Sequence, residues 1–250
     1  MTVKSNYIKP EFKKETNPKV GLLALSSDLT IERDFNSICH KLPLDVFVNR
    51  IHNENPLTKE NLLKMYEQIE SITEKILPGE KINTVAYACT SGTIAIGEDR
   101  VKEKIQLAKP NCYVTTPISS AIKAFKKMNV KKIAVFTPYP ESVNKTIYEY
   151  FNNKSINIIS LSTFNLDLDT DIARVDSNYL LETLTKLNLN DADALFVSCT
   201  ALPALEILDK VEKKLKKPVF SSNQTLIWDA IRSVGYNSFI EGYGSLFKNN

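Results

Sequence analysis

The chain repeats itself once. The apolar run VGLLALS at residues 20–26 returns as IAVFTPY at 133–139, 113 positions later. The segment YACT at 87–90 returns as VSCT at 197–200, after 110, and Lys109-Pro110 returns as Lys217-Pro218, after 108. Three landmarks in one order at nearly one spacing imply two copies of a unit of about 110 residues, well beyond the 20–50 residues of solenoid repeats. Within each copy, short β-rich runs alternate with longer amphipathic stretches. The β-rich runs fall at 19–25, 45–49, 84–88, 112–115, 132–137, 157–162, 194–198 and 218–221. Helical patterns fall at 58–77, 118–128, 141–152, 179–187, 202–215 and 225–234. The first of these carries Leu62, Met65, Tyr66, Ile69, Ile72 and Ile76 at helical spacing and stops at Pro78-Gly79.

Strand–helix–strand alternation requires parallel sheets with right-handed crossovers. The expected fold class is therefore α/β: two pseudo-symmetric Rossmann-like lobes, each with a parallel sheet flanked by helices. The expected division is a polar arm over residues 1–18, an N-terminal lobe over 19–128 and a C-terminal lobe over 129–250. The lobes should be intimately packed, with room for the tail to return to the first.

Ligands of parallel α/β sheets bind beyond the carboxyl ends of the strands. Cys89-Thr90 and Cys199-Thr200 each end an apolar run just before an expected helix start. Pseudo-symmetry would set the two cysteines on opposite walls of one cleft between the lobes. Nearby backbone N–H groups and a helix dipole should lower the thiol pKa values. Thr90, Ser91, Thr93 and Thr200 add hydroxyl donors. Two thiols facing one carbon suit proton removal on one face and delivery on the other. They equally suit thiolate addition to an activated double bond with protonation by the second thiol. Cys39 and Cys112 lie in no repeated motif and read as buried apolar residues. His40 and His52 read as surface or loop residues, and Trp228 with Ile227 and Ile231 as helix core. Tyr139 ends the first strand of the second copy, and Asp28 occupies the matching loop of the first.

Several classes are disfavoured. With 32 basic and 29 acidic residues the net charge is only +3, and the lysines are scattered, so no nucleic-acid partner is expected. No apolar run is long enough for a membrane span. The N-terminus has no signal-peptide pattern, which points to the cytoplasm and reduced thiols. The four cysteines and two histidines show no metal-ligand clustering, so neither metal nor cofactor is expected.

On these motifs the sequence resembles the aspartate/glutamate racemase superfamily, whose members use two cysteines without a cofactor. Within it the chain looks like the branch of maleate isomerases, arylmalonate decarboxylases and the ectoine-utilisation protein A family, over nearly all of residues 19–247. The likeness is closest to the ectoine-utilisation group, through VGLLALSSDLTIERDF (20–35), NRIHNENPLTKENL (49–62), ILPGE (76–80) and YACTSGTIAIGE (87–98). It continues through TPY (137–139), SCTAL (198–202) and SNQTLIWDAI (222–231). The resemblance implies Cys89 and Cys199 as the catalytic pair; the expected substrate-binding residues are Asp28, Thr90, Ser91, Tyr139, Thr200 and Ala201. Thr90, Ser91 and Tyr139 would donate hydrogen bonds to a carboxylate. It also implies a homodimer or larger assembly.

Departures from the branch narrow the substrate. An arylmalonate decarboxylase would lack the first cysteine. Maleate isomerases carry Asn where Asp28 stands; an amide can donate to a second carboxylate, whereas an ionised Asp only accepts. Ala201 replaces the His typical of glutamate racemases. The expected function is a cofactor-independent racemase or isomerase acting on a small carboxylate with an amino or cyclic-amidine group, as in ectoine or hydroxyectoine breakdown. The alternatives are maleate cis–trans isomerisation by thiolate addition and, from another class, a catalytically inactive bilobal small-molecule binding protein.

Overall fold

The structure, a computed structural model, describes residues 5–13, 17–189 and 191–248. Of the expected N-terminal arm, residues 5–13 form neither helix nor strand and are exposed; residues 1–4 and 14–16 lie outside the described residues.

The first half runs β1 (Lys19–Leu25), α1 (Ile31–Cys39), β2 (Asp45–Ile51), α2 (Lys59–Lys64), α3 (Tyr66–Glu74), β3 (Thr84–Tyr87), α4 (Thr90–Ile96), α5 (Glu98–Ala108), β4 (Tyr113–Thr115) and α6 (Pro117–Lys127). The second half runs β5 (Lys132–Thr137), α7 (Glu141–Asn153), β6 (Asn157–Thr163), α8 (Asp169–Ile172), α9 (Ser177–Thr185), β7 (Ala194–Val197), α10 (Leu208–Leu215), β8 (Val219–Ser221) and α11 (Ser222–Ser233). The strands form two four-stranded sheets in the orders β2-β1-β3-β4 and β6-β5-β7-β8. Every pairing is parallel. The two orders are the same permutation, so the sequence repeat is a repeat of topology. Val20 opposes Thr84 in one sheet, and Ile133 opposes Ala194 in the other. The inner strands β1, β3, β5 and β7 are buried nearly throughout, as parallel strands covered on both faces must be.

The halves are stitched together by exchanged helices. Helix α6, fastened at its start by a Thr116–Ser119 capping box, sends Phe125 onto the second sheet. There its ring meets Phe196 at 5.5 Å and Phe220 at 5.2 Å, both edge-on. Helix α11 packs in return against β3 and β4 of the first sheet. Asp229 on α11 accepts from Thr115 Oγ1 at 2.6 Å and from Lys123 Nζ at 2.7 Å, and Ser233 Oγ meets Thr84 Oγ1 at 2.6 Å. From the C-terminal segment, Tyr243 Oη donates to the Ser37 carbonyl of α1 at 3.1 Å.

Two expectations about helices are corrected. The pattern at 58–77 is not one helix; it breaks at Met65, where α2 turns onto α4 while α3 covers α5, β1 and β2. The pattern at 202–215 yields a 3-10 turn over Leu205–Ile207 and then α10, so no helix follows Cys199-Thr200 directly.

Candidate active site

Residues just beyond the ends of β1, β3, β5 and β7 meet between the sheets: Asp28, Cys89, Tyr139 and Cys199 respectively. All are buried, with exposures of 1%, 3%, 2% and 4%. Cys39 and Cys112 are buried in the core away from this convergence, and His40 and His52 lie on the surface.

Cys89 is the N-cap of α4. Its Sγ accepts from the Gly92 N–H at 3.2 Å and stands 3.8 Å from Ser91 Oγ. Glycine is required here by space: a Cβ at residue 92 would lie 2.7 Å from this sulfur and 2.6 Å from Met65 Cε. Cys199 is held differently, by the Tyr139 hydroxyl and the Ala201 N–H, which both donate to its sulfur. The Thr30 hydroxyl in turn holds the Ala201 carbonyl at 2.8 Å.

The expected lowering of the thiol pKa values is overturned in this closed site. Burial pushes the Cys89 thiol up to about 12, aided by the negative charges of Asp169 and Asp28 and only partly opposed by Gly92 and Ser91. Burial likewise carries Cys199 far above the ordinary thiol range, with Asp169 the next cause. Desolvation outweighs the helix end once water is excluded.

The threonines of the two Cys-Thr pairs act across the lobes. Thr90 Oγ1 donates to Ser222 Oγ at 2.9 Å, and Ser222 Oγ also accepts the Cys199 N–H at 3.0 Å. Thr200 Oγ1 donates to the Ala88 carbonyl at 3.3 Å. Each Thr therefore reaches the backbone neighbourhood of the opposite cysteine. The Thr90 proton is engaged with Ser222, and Thr93 donates back to the Cys89 carbonyl at 2.6 Å. Ser91 and Tyr139 remain nearest the sulfurs.

Asp28 Oδ1 accepts from the Thr30 and Ile31 N–H groups at 2.7 and 2.9 Å, capping α1, while Oδ2 is buried without a hydrogen-bond partner. Arg50 contributes little to this carboxylate: it bonds Glu32 at 2.8 Å and the carbonyls of Leu25, Ser26 and Asp28. Burial consequently raises the Asp28 pKa.

Sequence reasoning missed three residues. Asp169, at the start of α8, crosses from the second half and accepts from Ser27 Oγ at 3.0 Å and Asn53 Nδ2 at 2.7 Å. It is 4% exposed, and its charge bears on both thiols. Ser222 and Asn223 open α11; Asn223 Nδ2 bonds the Thr200 carbonyl at 2.9 Å and Asp34 Oδ2 at 2.7 Å. The Ser222-Asn223 pair was visible in the motif SNQTLIWDAI, but Asp169 sits in an aperiodic stretch that carries no signal.

Two like α/β halves that bring a cysteine each to a shared, buried centre define a class of two-lobed, two-thiol proteins. The match to the family model described as arylmalonate decarboxylase spans residues 64–247, and the chain belongs to this family. Among curated relatives, a maleate isomerase of Geobacillus stearothermophilus is 25% identical over 244 residues, covering 91% of this chain and 96% of that protein. An arylmalonate decarboxylase of Bordetella bronchiseptica is 27% identical over 136 residues, covering 53% of this chain and 57% of that one. Among solved structures, a Nocardia farcinica maleate cis-trans isomerase variant with a covalently bound succinylcysteine intermediate superposes with a TM-score of 0.84 at 19% identity, covering 92% and 98% of the two chains. At that identity the likeness establishes the fold.

Proposed function

We propose that this chain is a cofactor-independent isomerase or racemase in which Cys89 and Cys199 act from opposite sides on a small carboxylate substrate that also carries a cationic amino or amidine group. The observation that carries the reading is the convergence of both cysteines, one from each repeat, with Tyr139 and Ser91 beside them. One sulfur, as thiolate, takes the proton from the carbon next to the carboxylate. The other thiol gives its proton to the opposite face, so a turnover leaves the thiolate on the second cysteine. Tyr139 and Ser91 are the donors for the substrate carboxylate, and Asp28 is the partner of the cationic group.

The raised thiol pKa values fit this reading. The negative charges of Asp169 and Asp28 help hold both thiols neutral. A cation set against those carboxylates offsets them and eases thiolate formation as substrate arrives. The physiological setting that fits such a substrate is breakdown of ectoine or hydroxyectoine, and self-association into a dimer or larger assembly belongs to the same proposal.

Maleate cis–trans isomerisation is the second reading, favoured by the near-full-length maleate isomerase relative. There a thiolate would add to the double bond and the second thiol would protonate the neighbouring carbon; after rotation about the new single bond, elimination would return that one proton to the second sulfur and expel the first as thiolate. That substrate is a dianion, and it would have to sit beside Asp28 and Asp169 in their protonated forms.

The two readings give opposite pH signs. Burial raises both carboxyl pKa values. A cationic substrate needs the carboxylates ionised, so kcat/KM rises as pH climbs through their range; a dianion needs them protonated, so kcat/KM falls. Assays of ectoine, 2,4-diaminobutyrate and maleate between pH 5 and 9 decide. Turnover of maleate alone, declining with pH, would overturn the cationic reading.

A further inference from the structure

We infer that Asp28 and Asp169 together form a two-carboxylate subsite, one wall from each half of the molecule, for a cation with divergent N–H donors such as an amidinium. This rests on the proposed cationic substrate and adds to it the second ligand, its geometry and its part in specificity.

The two acids are neighbours through the loop between them. Asp169 Oδ2 takes the Ser27 hydroxyl at 3.0 Å, and Ser27 directly precedes Asp28. Each carboxylate spends one oxygen on protein donors and keeps the other. Asp28 commits Oδ1 to two backbone N–H groups; the Thr200 hydroxyl, shared with the Ala88 carbonyl, lies close enough to favour the carboxylate, but the buried Oδ2 takes no direct hydrogen bond. Asp169 takes both its bonds, from Ser27 and Asn53, on Oδ2, leaving Oδ1 without a hydrogen bond among the described residues. No Lys, Arg or His forms an ion pair with either acid among the described residues. Two buried, adjacent carboxyls with spare acceptor oxygens and no protein cation are costly when ionised unless a ligand supplies the charge. Asp28 raises the pKa of Asp169, and both acids raise the thiols, so a cation set between them would also ease ionisation of the sulfurs.

An amidinium is planar and presents N–H donors on two sides, which suits acceptors on facing walls. The segment carrying Asp169 is already fastened to the first half, since the Asp167 carbonyl holds the Leu57 N–H at 2.8 Å, so the second wall of the subsite is fixed in place.

The donor pattern makes the test sharp. In Asp28→Asn the amide oxygen can still accept from Thr30 and Ile31, and in Asp169→Asn it can still accept from Ser27 and Asn53. Each substitution therefore keeps the local fold and turns the spare acceptor into a donor. Calorimetric titration of the wild type, both single variants and the double variant with ectoine (a cyclic amidine bearing one carboxylate) and with maleate reads the switch. The expected result is a 10- to 100-fold loss of ectoine affinity in each single variant, with maleate overtaking ectoine in the double. Thiol titration of the unliganded D169N protein should also show both cysteines ionising at lower pH than in the wild type, which a merely structural Asp169 would not produce. Ectoine affinity unchanged within threefold in D169N, with the wild type still preferring ectoine, would overturn the inference and leave the cationic-substrate reading standing. A wild type that binds maleate in preference to ectoine would overturn both.

Discussion

Cys89 and Cys199 reach one centre by different local means, and the difference is testable residue by residue. Cys89 depends on the bare Gly92 N–H at 3.2 Å, available because residue 92 has no side chain. Gly92→Ala should lower kcat at least tenfold while the circular dichroism spectrum stays unchanged, since the added methyl must displace Sγ or Met65. Asp34 carries a second residue-scale prediction. Burial pushes its carboxyl up to about 7, against 3.8 ordinarily, with Asn223 as its main hydrogen-bond partner. Between about pH 4 and 7 the folded chain holds a proton that the unfolded chain has lost, so stability falls as pH rises through that window. Asp34→Asn removes the titration and should raise stability at pH 8 by on the order of 1–3 kcal/mol, with a flatter pH dependence in urea denaturation. The thiol ionisation shows what residue-level reading from sequence misses. A cysteine before a helix start suggested a lowered pKa, but the full exclusion of water around it is a property of both halves together and reversed the sign.

At the scale of elements, α11 does more than cover a sheet. Its first residue, Ser222, receives Thr90 from the first half and holds the Cys199 backbone in the second. Ser222→Ala would leave the buried Cys199 N–H without a partner and release the Thr90 hydroxyl. The expected cost is about 1–3 kcal/mol of stability by chemical denaturation, with a loss of activity exceeding what that destabilisation explains. The strands were readable from sequence because buried parallel strands are short apolar runs bounded by polar turns, and β1 and β5 begin and end where the pattern does. Helices α1 and α4 were harder. Helix α1 is capped by a carboxylate two residues before its N-cap, and α4 is a short run of small residues with Cys89 as its cap. Helix α8 has four residues, too few for periodicity to register. Asp169 escaped notice for that reason, although it is the acid with most influence on the sulfurs.

For the whole molecule, the duplicated sequence is a duplicated sheet order, and the interface between the copies is where the chemistry gathers. That interface was legible as soon as the two Cys-Thr pairs were aligned. The cross-lobe bonds of Thr90, Thr200, Ser222 and Asp169 were not, because they join residues 112 to 142 positions apart and leave no local pattern. The exchanged helices α6 and α11 make the halves one cooperative body. Phe125→Ala, which empties an aromatic cluster shared with Phe151, Phe196 and Phe220, should cost about 3–5 kcal/mol. It should lower both halves' stability in a single calorimetric transition. The central claim is that two thiols from the two copies work on one carbon. The most direct measurement is proton exchange in deuterated water, followed by NMR on carboxylates with an amino or amidine group, using wild type, Cys89→Ser and Cys199→Ser. The account predicts deuterium at the carbon beside the carboxylate with the wild type and at least a hundredfold slower turnover in each variant. Full turnover in either variant, or tight binding with no exchange in all three proteins, would contradict it.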